Sequence, residues 1–290
     1  MTIAQAVKEH DYSAAIGRQD QLEDQISTGP VSSLAATLDL DAPGEGQPLP
    51  GGWHWLFFNP FKKRSELGVD GHPKRGGFLP DVALPRRMWA GGRLRHLAVL
   101  PIGEKAEKHS EILKIASKSG RAGQLVFVTV LHKILLDGKI CIEEEQDIVY
   151  REAPSPGAPK PLAAPAPEGA KWSEEFTPDP VALFRYSSLT SNSHRIHYDK
   201  PYATGEEGYP NLVVHGPLIA TLLQGFAAKC RPNETVETFD FRGMAPLFVD
   251  RSFHLEAKPG KDGATLDLWA RGPDGALAMS AVASFKPEVI

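Results

Sequence analysis

Residues 153–169, APSPGAPKPLAAPAPEG, constrain the chain more than any other stretch. Proline lacks the backbone N–H and its ring blocks a helix, and the intervening Ala and Gly offer no apolar face. The segment reads as a semi-extended tether, so whatever packs must pack before it and after it. We expect an N-terminal unit over 1–152, a linker over 153–170 and a C-terminal unit over 171–290. At 290 residues the chain is long enough for two such units.

Both units show antiparallel β patterning. Before the tether, LRHLAVL, AEKHSEILKIAS, QLVFVTVLHKILL and KICIEEEQDIVYRE are rich in β-branched and aromatic residues and are separated by Gly103, residues 119–123 and the tight-turn pair Asp137-Gly138. After it, ETVETFDFRG, LFVDRSFHLEAK, ATLDLWARG and ALAMSAVASFK predict four strands. A helix over 217–229 precedes them, with Leu218, Leu222, Leu223 and Phe226 on one apolar face and small Ala220, Gly225 and Ala227 allowing close sheet contact. Thr177 is expected to cap a helix from Pro178 to Leu189. Residues 19–38 predict two short helices broken at Gly29-Pro30, and Trp53 to Phe58 predicts core. Residues 60–85, rich in Gly and Pro, show no clear helix. The basic run Lys62, Lys63, Arg64, Lys74 and Arg75 predicts a solvated loop that could also screen phosphates.

Composition excludes several classes. A formal net charge of -4 gives no global drive toward nucleic acid or a membrane surface. Two cysteines, each within an apolar run, provide no disulfide framework or cysteine metal cluster, and a reducing cytoplasm is the expected compartment. Lys8, Glu9 and Asp11 fall where a secretion signal needs an apolar run, so export is not expected.

The chemistry-bearing stretch runs from Tyr186 to Ala203, YSSLTSNSHRIHYDKPYA, followed by His215-Gly216-Pro217 at the head of the apolar helix. His197 is the group there with an intrinsic pKa suited to base work near neutrality. The N–H of Gly216, at a helix start, can point at a developing oxyanion, and glycine permits close approach. His194 and His197 lie three apart without an evident third ligand, so no metal is expected. Asp199 reads as a structural ion-pair partner rather than an imidazole orienter.

Asn192 five places before His197, and Ala203 six places after it, resemble the signature of the MaoC-like hydratases, a hotdog-fold family. NSHRIHYD with EGYPNLVVHGPL, and upstream WHWLFF, DGHPKRGGFLPDVALPRRMWAGGRL and EEQDIVYRE, resemble its double-hotdog branch, the mesaconyl-CoA and itaconyl-CoA hydratases and type 2 hydroxyacyl-thioester dehydratases. The resemblance implies an α+β double hotdog, two antiparallel sheets each wrapping a helix and joined in one chain, with the first hotdog worn and lacking a catalytic loop. It also implies a hydro-lyase acting on an unsaturated acyl-CoA, a C5 dicarboxylic one in this branch, with coenzyme A carried by the substrate and no other cofactor. His197 falls on the family's catalytic histidine. Asn192 falls where its aspartate is expected, Ser191 replaces Gly, His194 replaces Asn and Arg195 replaces Pro. Asparagine does not titrate, so its amide oxygen is left the task of holding the water. His194, Arg195 and His215 are candidates for substrate contact, and Arg87, Arg93 or Arg195 for a substrate carboxylate. The alternatives are a longer-chain 3-hydroxyacyl-thioester dehydratase and a non-catalytic thioester-binding hotdog. A homodimer is possible, and neither a nucleic-acid nor a membrane partner is expected.

Overall fold

The computed structural model describes residues 11–120, 123–153 and 163–287. The turn expected at 119–123 and the tether therefore lie partly outside the described residues. Ten strands form one antiparallel sheet: β1 (Gln19–Gln25), β2 (Arg86–His96), β3 (Lys105–Gly120), β4 (Gly123–Leu136), β5 (Lys139–Arg151), β6 (Trp172–Phe176), β7 (Glu234–Gly243), β8 (Phe253–Pro259), β9 (Thr265–Arg271) and β10 (Leu277–Pro287). Their spatial order is β1-β3-β4-β5-β2-β7-β10-β9-β8-β6. Every strand before the tether lies on one side of the β2–β7 seam and every strand after it on the other. The architecture is the double hotdog that the motifs imply, with the two sheets fused into one.

The seam depends on glycine. β2 pairs with β7 from Gly91 opposite Arg242 to Arg95 opposite Thr238. A Cβ at Gly91 would stand 2.4 Å from the Phe241 carbonyl oxygen and 3.2 Å from Arg242 Cα, both backbone atoms that move only if the ladder opens. A register shift in the β2–β5 ladder falls at the same place, between Trp89 and Gly91.

Three α-helices accompany this sheet among the described residues: α1 (Thr28–Thr37), α2 (Pro180–Leu189) and α3 (Gly216–Cys230). α3 is the central helix of the second hotdog. It buries Leu218, Ala220, Leu223, Phe226 and Ala227 against β7 to β10. Gly225 does not serve sheet contact as expected. It is exposed, with open space where its Cβ would be. α1 packs against α2 and buries Val31, Leu34 and Ala35 in the same core.

The first half departs from the sequence expectations in three places. Residues 19–25 form an edge strand paired to β3 rather than a helix; Leu22 and Ile26 fit helical spacing, but most of β1 is exposed. Gly29-Pro30 does not break a helix but sits in the first turn of α1, where proline's missing N–H costs nothing. Residues 60–85 hold no central helix. Their glycines and prolines leave a long irregular segment with one short turn, Arg64–Glu66. Its later part lays Phe78, Leu79, Val82 and Leu84 over Ile112, Val126, Val128 and Tyr150, a second core cluster. In the second half, the cap of α2 is Asp179, whose carboxylate accepts from Ala182 N at 2.7 Å. Thr177 bonds Ser252 instead. The expected aromatic core over 53–58 is observed, with Trp53, Leu56, Phe57 and Phe58 buried.

Gly91→Ala tests the seam. An added methyl against fixed backbone should lower stability by about 1–3 kcal/mol, seen as a lower urea midpoint, and a midpoint equal to wild type would mean the seam tolerates opening.

Candidate active site

The loop after α2 is shaped by its own short side chains. Ser191 holds a left-handed φ of 51°, the conformation that glycine adopts freely. This accounts for the glycine of the resembling motif. The conformation is secured here because Ser191 Oγ donates to the Asn59 carbonyl at 2.8 Å. Asn192 N–H donates to Ser187 O, and Asn192 Oδ1 accepts from His194 N–H at 3.1 Å. Only the amide oxygen can accept there, which orients the amide and leaves the NH₂ donors, with the second lone pair of the oxygen, to meet a ligand. Asn192 therefore offers donors as well as the accepting oxygen that was expected.

His197 follows in the turn Arg195–His197 and is buried. Its Nδ1 lies 2.7 Å from the Val213 carbonyl oxygen, which can only accept. Nδ1 therefore carries the proton, and Nε2 keeps a lone pair for base work. The same two segments are joined by Val213 N–H to Ile196 O, so the imidazole is fixed by the backbone that carries it. Burial lowers the His197 pKa to about 4, with His72 adding a repulsive charge. The ring stacks on His215, centroids 3.7 Å apart and planes at 19°. His215 is fully buried with Nε2 at 2.8 Å from Ser187 Oγ. It supports the base from behind instead of meeting substrate as expected. Because His215 immediately precedes α3, the stack sets the helix start beside His197. The first N–H groups of a helix have no partner within it, and the dipole there favours negative charge. Gly216 leaves open space at that point.

Beyond His197 the structure adds residues that sequence reasoning missed. Segment 59–75 of the first half folds over the catalytic loop. Arg195 N–H donates to Asp70 O, Ser193 Oγ to Gly71 O, and Arg195 Nη1 to Val69 O. Gly71 has φ +88°, and a Cβ there would lie 1.9 Å from Ser193 O. This brings the His72 ring to 4.1 Å from that of His194, itself 5.6 Å from His197. Four imidazoles thus run in a row, His215, His197, His194, His72, with Asp70 Oδ2 3.2 Å from His72 Nδ1 at its end. Burial lowers the pKa of His194 to about 2 and pushes that of His72 down. Asp70 sits at about 2: burial opposes ionisation, but its hydrogen bonds and the charge of His72 outweigh it.

The expectation that His194 lacks companion ligands needs correction. Asp70, His72 and His194 bring ligand-type atoms within 4.8 Å of one another. The carboxylate and one imidazole already bond each other, and the charges of Arg87 and Arg75 bear on the same ring, which disfavours a cation.

The arginines divide sharply. Arg93 is bound by Glu145 at 2.9 Å and by Asp147 at 2.7 and 3.1 Å, which corrects its assignment to substrate. Arg195 is likewise committed. Its guanidinium bonds Asp199 at 2.7 and 2.9 Å and lies over the Tyr202 ring, so Asp199 is the structural partner expected. Arg87 is half-buried at the start of β2.

The profile of one family, hydroxyacyl-thioester dehydratase type 2, matches residues 52–249. The chain belongs to this family. It is 49% identical over 276 residues to the mesaconyl-C(4)-CoA hydratase of Chloroflexus aurantiacus, covering 93% of this chain and 96% of that one. It is 29% identical over 266 residues to the mitochondrial hydroxyacyl-thioester dehydratase type 2 of Schizosaccharomyces pombe, covering 81% and 88%. Among solved structures, a Mycobacterium tuberculosis protein described as a double hotdog superposes with a TM-score of 0.55 at 15% identity, over 93% of this chain and 96% of that one.

Two pH effects follow. His72, His96, His132, His194, His197 and His215 all have pKa values pushed down by burial. Below their ordinary value of about 6.5 the unfolded chain binds protons that the folded chain refuses. Stability should then fall as pH drops from about 6.5 toward 4, and flat thermal midpoints over that range would contradict the neutral row. Asn192→Asp should raise the His197 pKa by stabilising imidazolium, moving the acidic limb of kcat/KM to higher pH. An unmoved limb would place residue 192 out of reach of the base.

Proposed function

We propose that the chain is a hydro-lyase that adds water to an α,β-unsaturated acyl-CoA, or removes it, and that the acyl group is a C5 dicarboxylic one of the mesaconyl-C4 type. The observation that carries the reading is the pairing of His197, with Nε2 left free by the Val213 bond, and the unpaired helix start at Gly216 beside it. The 49% identity to a mesaconyl-C(4)-CoA hydratase across nearly the whole of both chains supports the choice of substrate.

In the hydration direction, water adds to the β-carbon as His197 Nε2 takes its proton. The π electrons move to the thioester oxygen, where the Gly216 N–H and the α3 dipole meet the enolate. The Asn192 NH₂ holds the oxygen that becomes the new hydroxyl. Imidazolium then returns its proton to the α-carbon and the thioester carbonyl re-forms, so one water is added and His197 is restored. One titrating group suffices for both transfers, which accommodates a non-titrating residue at 192. Burial keeps imidazolium acidic and short-lived, which favours handing the proton to carbon. A competent base with a free lone pair also speaks against a hotdog that only binds thioesters. Coenzyme A arrives with the substrate. Two unpaired cysteines suit a reducing compartment such as the cytoplasm, and among the described residues no helix is long and apolar enough to cross a membrane.

Assaying hydration of unsaturated C4 to C8 acyl-CoAs, with and without a terminal carboxylate, tests the reading. His197→Ala should cost about 10²–10⁴-fold in kcat/KM with an unchanged circular dichroism spectrum. Retention of more than about a tenth of the activity would remove His197 from the role. Preference for longer monocarboxylic chains would point instead to a fatty acyl dehydratase.

A further inference from the structure

A carboxylate entering a largely apolar site loses its water, and the loss is costly unless a cation with suitably placed donors receives it. The cations around the histidine row are nearly all spent on the protein itself. Arg86 pairs with Glu207 at 3.0 Å and lies over the Tyr209 ring. Arg75 donates to the carbonyls of Val82 and Pro85. Arg93 and Arg195 are held by their own carboxylates. Arg87 makes no ion pair among the described residues.

Arg87 is nevertheless not a solvated surface group. It is half-buried and stands opposite Tyr150 in the β2–β5 ladder. Directly opposed residues project to the same face of a sheet, and Tyr150 is fully buried in the core cluster of the first half. The guanidinium is therefore directed inward, and its charge bears on both His72 and His194. The group beside it, the Tyr150 hydroxyl, is neutral, so an anion brought by the substrate would supply the ion-pair partner that no described residue gives.

The order of the row gives the direction. The α3 start, where the thioester oxygen belongs, lies at the His215 end; Arg87 bears on the His194 and His72 end. In a mesaconyl-C4 thioester the free carboxylate is attached to the carbon that takes up water, beyond the α-carbon as seen from the thioester. We propose that Arg87 receives this carboxylate and so is the residue that sets the preference for a dicarboxylic acyl group. The inference rests on the hydratase reading and deepens it by naming the selecting residue. The guanidinium forks onto the two carboxylate oxygens and holds the β-carbon over His197 Nε2. The neutral histidines nearby leave Arg87 without a competing charge-bearing imidazole.

The test compares mesaconyl-C4-CoA with crotonyl-CoA, which lacks the second carboxylate, on the wild type and on Arg87→Met, Arg87→Gln and Arg87→Lys. Loss of a charged hydrogen-bonded pair should lower kcat/KM for the dicarboxylic thioester by about 10- to 100-fold more than for crotonyl-CoA in Arg87→Met, chiefly through KM. Arg87→Gln should behave similarly, and Arg87→Lys should fall between because it keeps the charge but loses the fork. Thermal midpoints of all three guard against misfolding, and Lys alone suffices should Met fail to fold. Equal losses on both substrates overturn the assignment. A wild type that hydrates crotonyl-CoA but not the dicarboxylic thioester overturns it while leaving the hydratase reading intact. A wild type inert on both overturns the two together.

Discussion

The hydrogen bond from His197 Nδ1 to the Val213 carbonyl organises the site. It fixes the tautomer and leaves Nε2 as the lone-pair nitrogen. With the reciprocal Val213 N–H to Ile196 O bond it clips the catalytic loop to the segment that leads into α3. The proposed base, His197, and the proposed oxyanion site at Gly216 are therefore set relative to each other by backbone, before any substrate arrives. The stack on His215 extends the same arrangement: a fully buried ring lies flat against the His197 imidazole. Preorganisation of this kind is what a proton transfer between oxygen and carbon requires, since the groups need not reorganise as charge develops.

The first hotdog has no helix of the length of α3, yet it is not idle. Its irregular segment closes over the loop of the second hotdog, delivers His72 and Asp70 to the end of the histidine row, and contributes Arg87 from β2. Glycine makes this docking possible: at position 71 any side chain would meet the Ser193 carbonyl. The first half thus forms one wall of the candidate site.

How much of this was legible depends on how far apart in sequence the cause and effect lie. The strand runs and α3 could be read because their signals are local and periodic. His197 and Gly216 could be read because the spacing of a motif keeps them together. Residues 19–25 could not, since an exposed edge strand shows too little alternation to outweigh two apolar residues at helical spacing. Asp70 and His72 could not either. Their Asp-Gly-His sequence acquires meaning only from partners more than 120 residues away, and nothing local distinguishes them from a surface turn. The commitment of Arg93 was equally hidden, because an ion-pair partner on the adjacent strand is fixed by the fold, not by composition; for Arg195 only the other half of the pair, Asp199, could be read as structural.

β2 is the strand that joins the two hotdogs, and it begins with Arg86 and Arg87. Neighbouring residues on a strand face opposite ways, so slipping β2 by one position would exchange Arg87, which stands opposite Tyr150, with Arg86, which pairs with Glu207. The shift in the β2–β5 ladder next to Gly91 is the local irregularity that sets this phase. The side chain offered at this point is thereby tied to a topological parity: an insertion or deletion of one residue between Arg87 and Gly91 would change which of the two arginines stands on the Tyr150 face while leaving both in the chain.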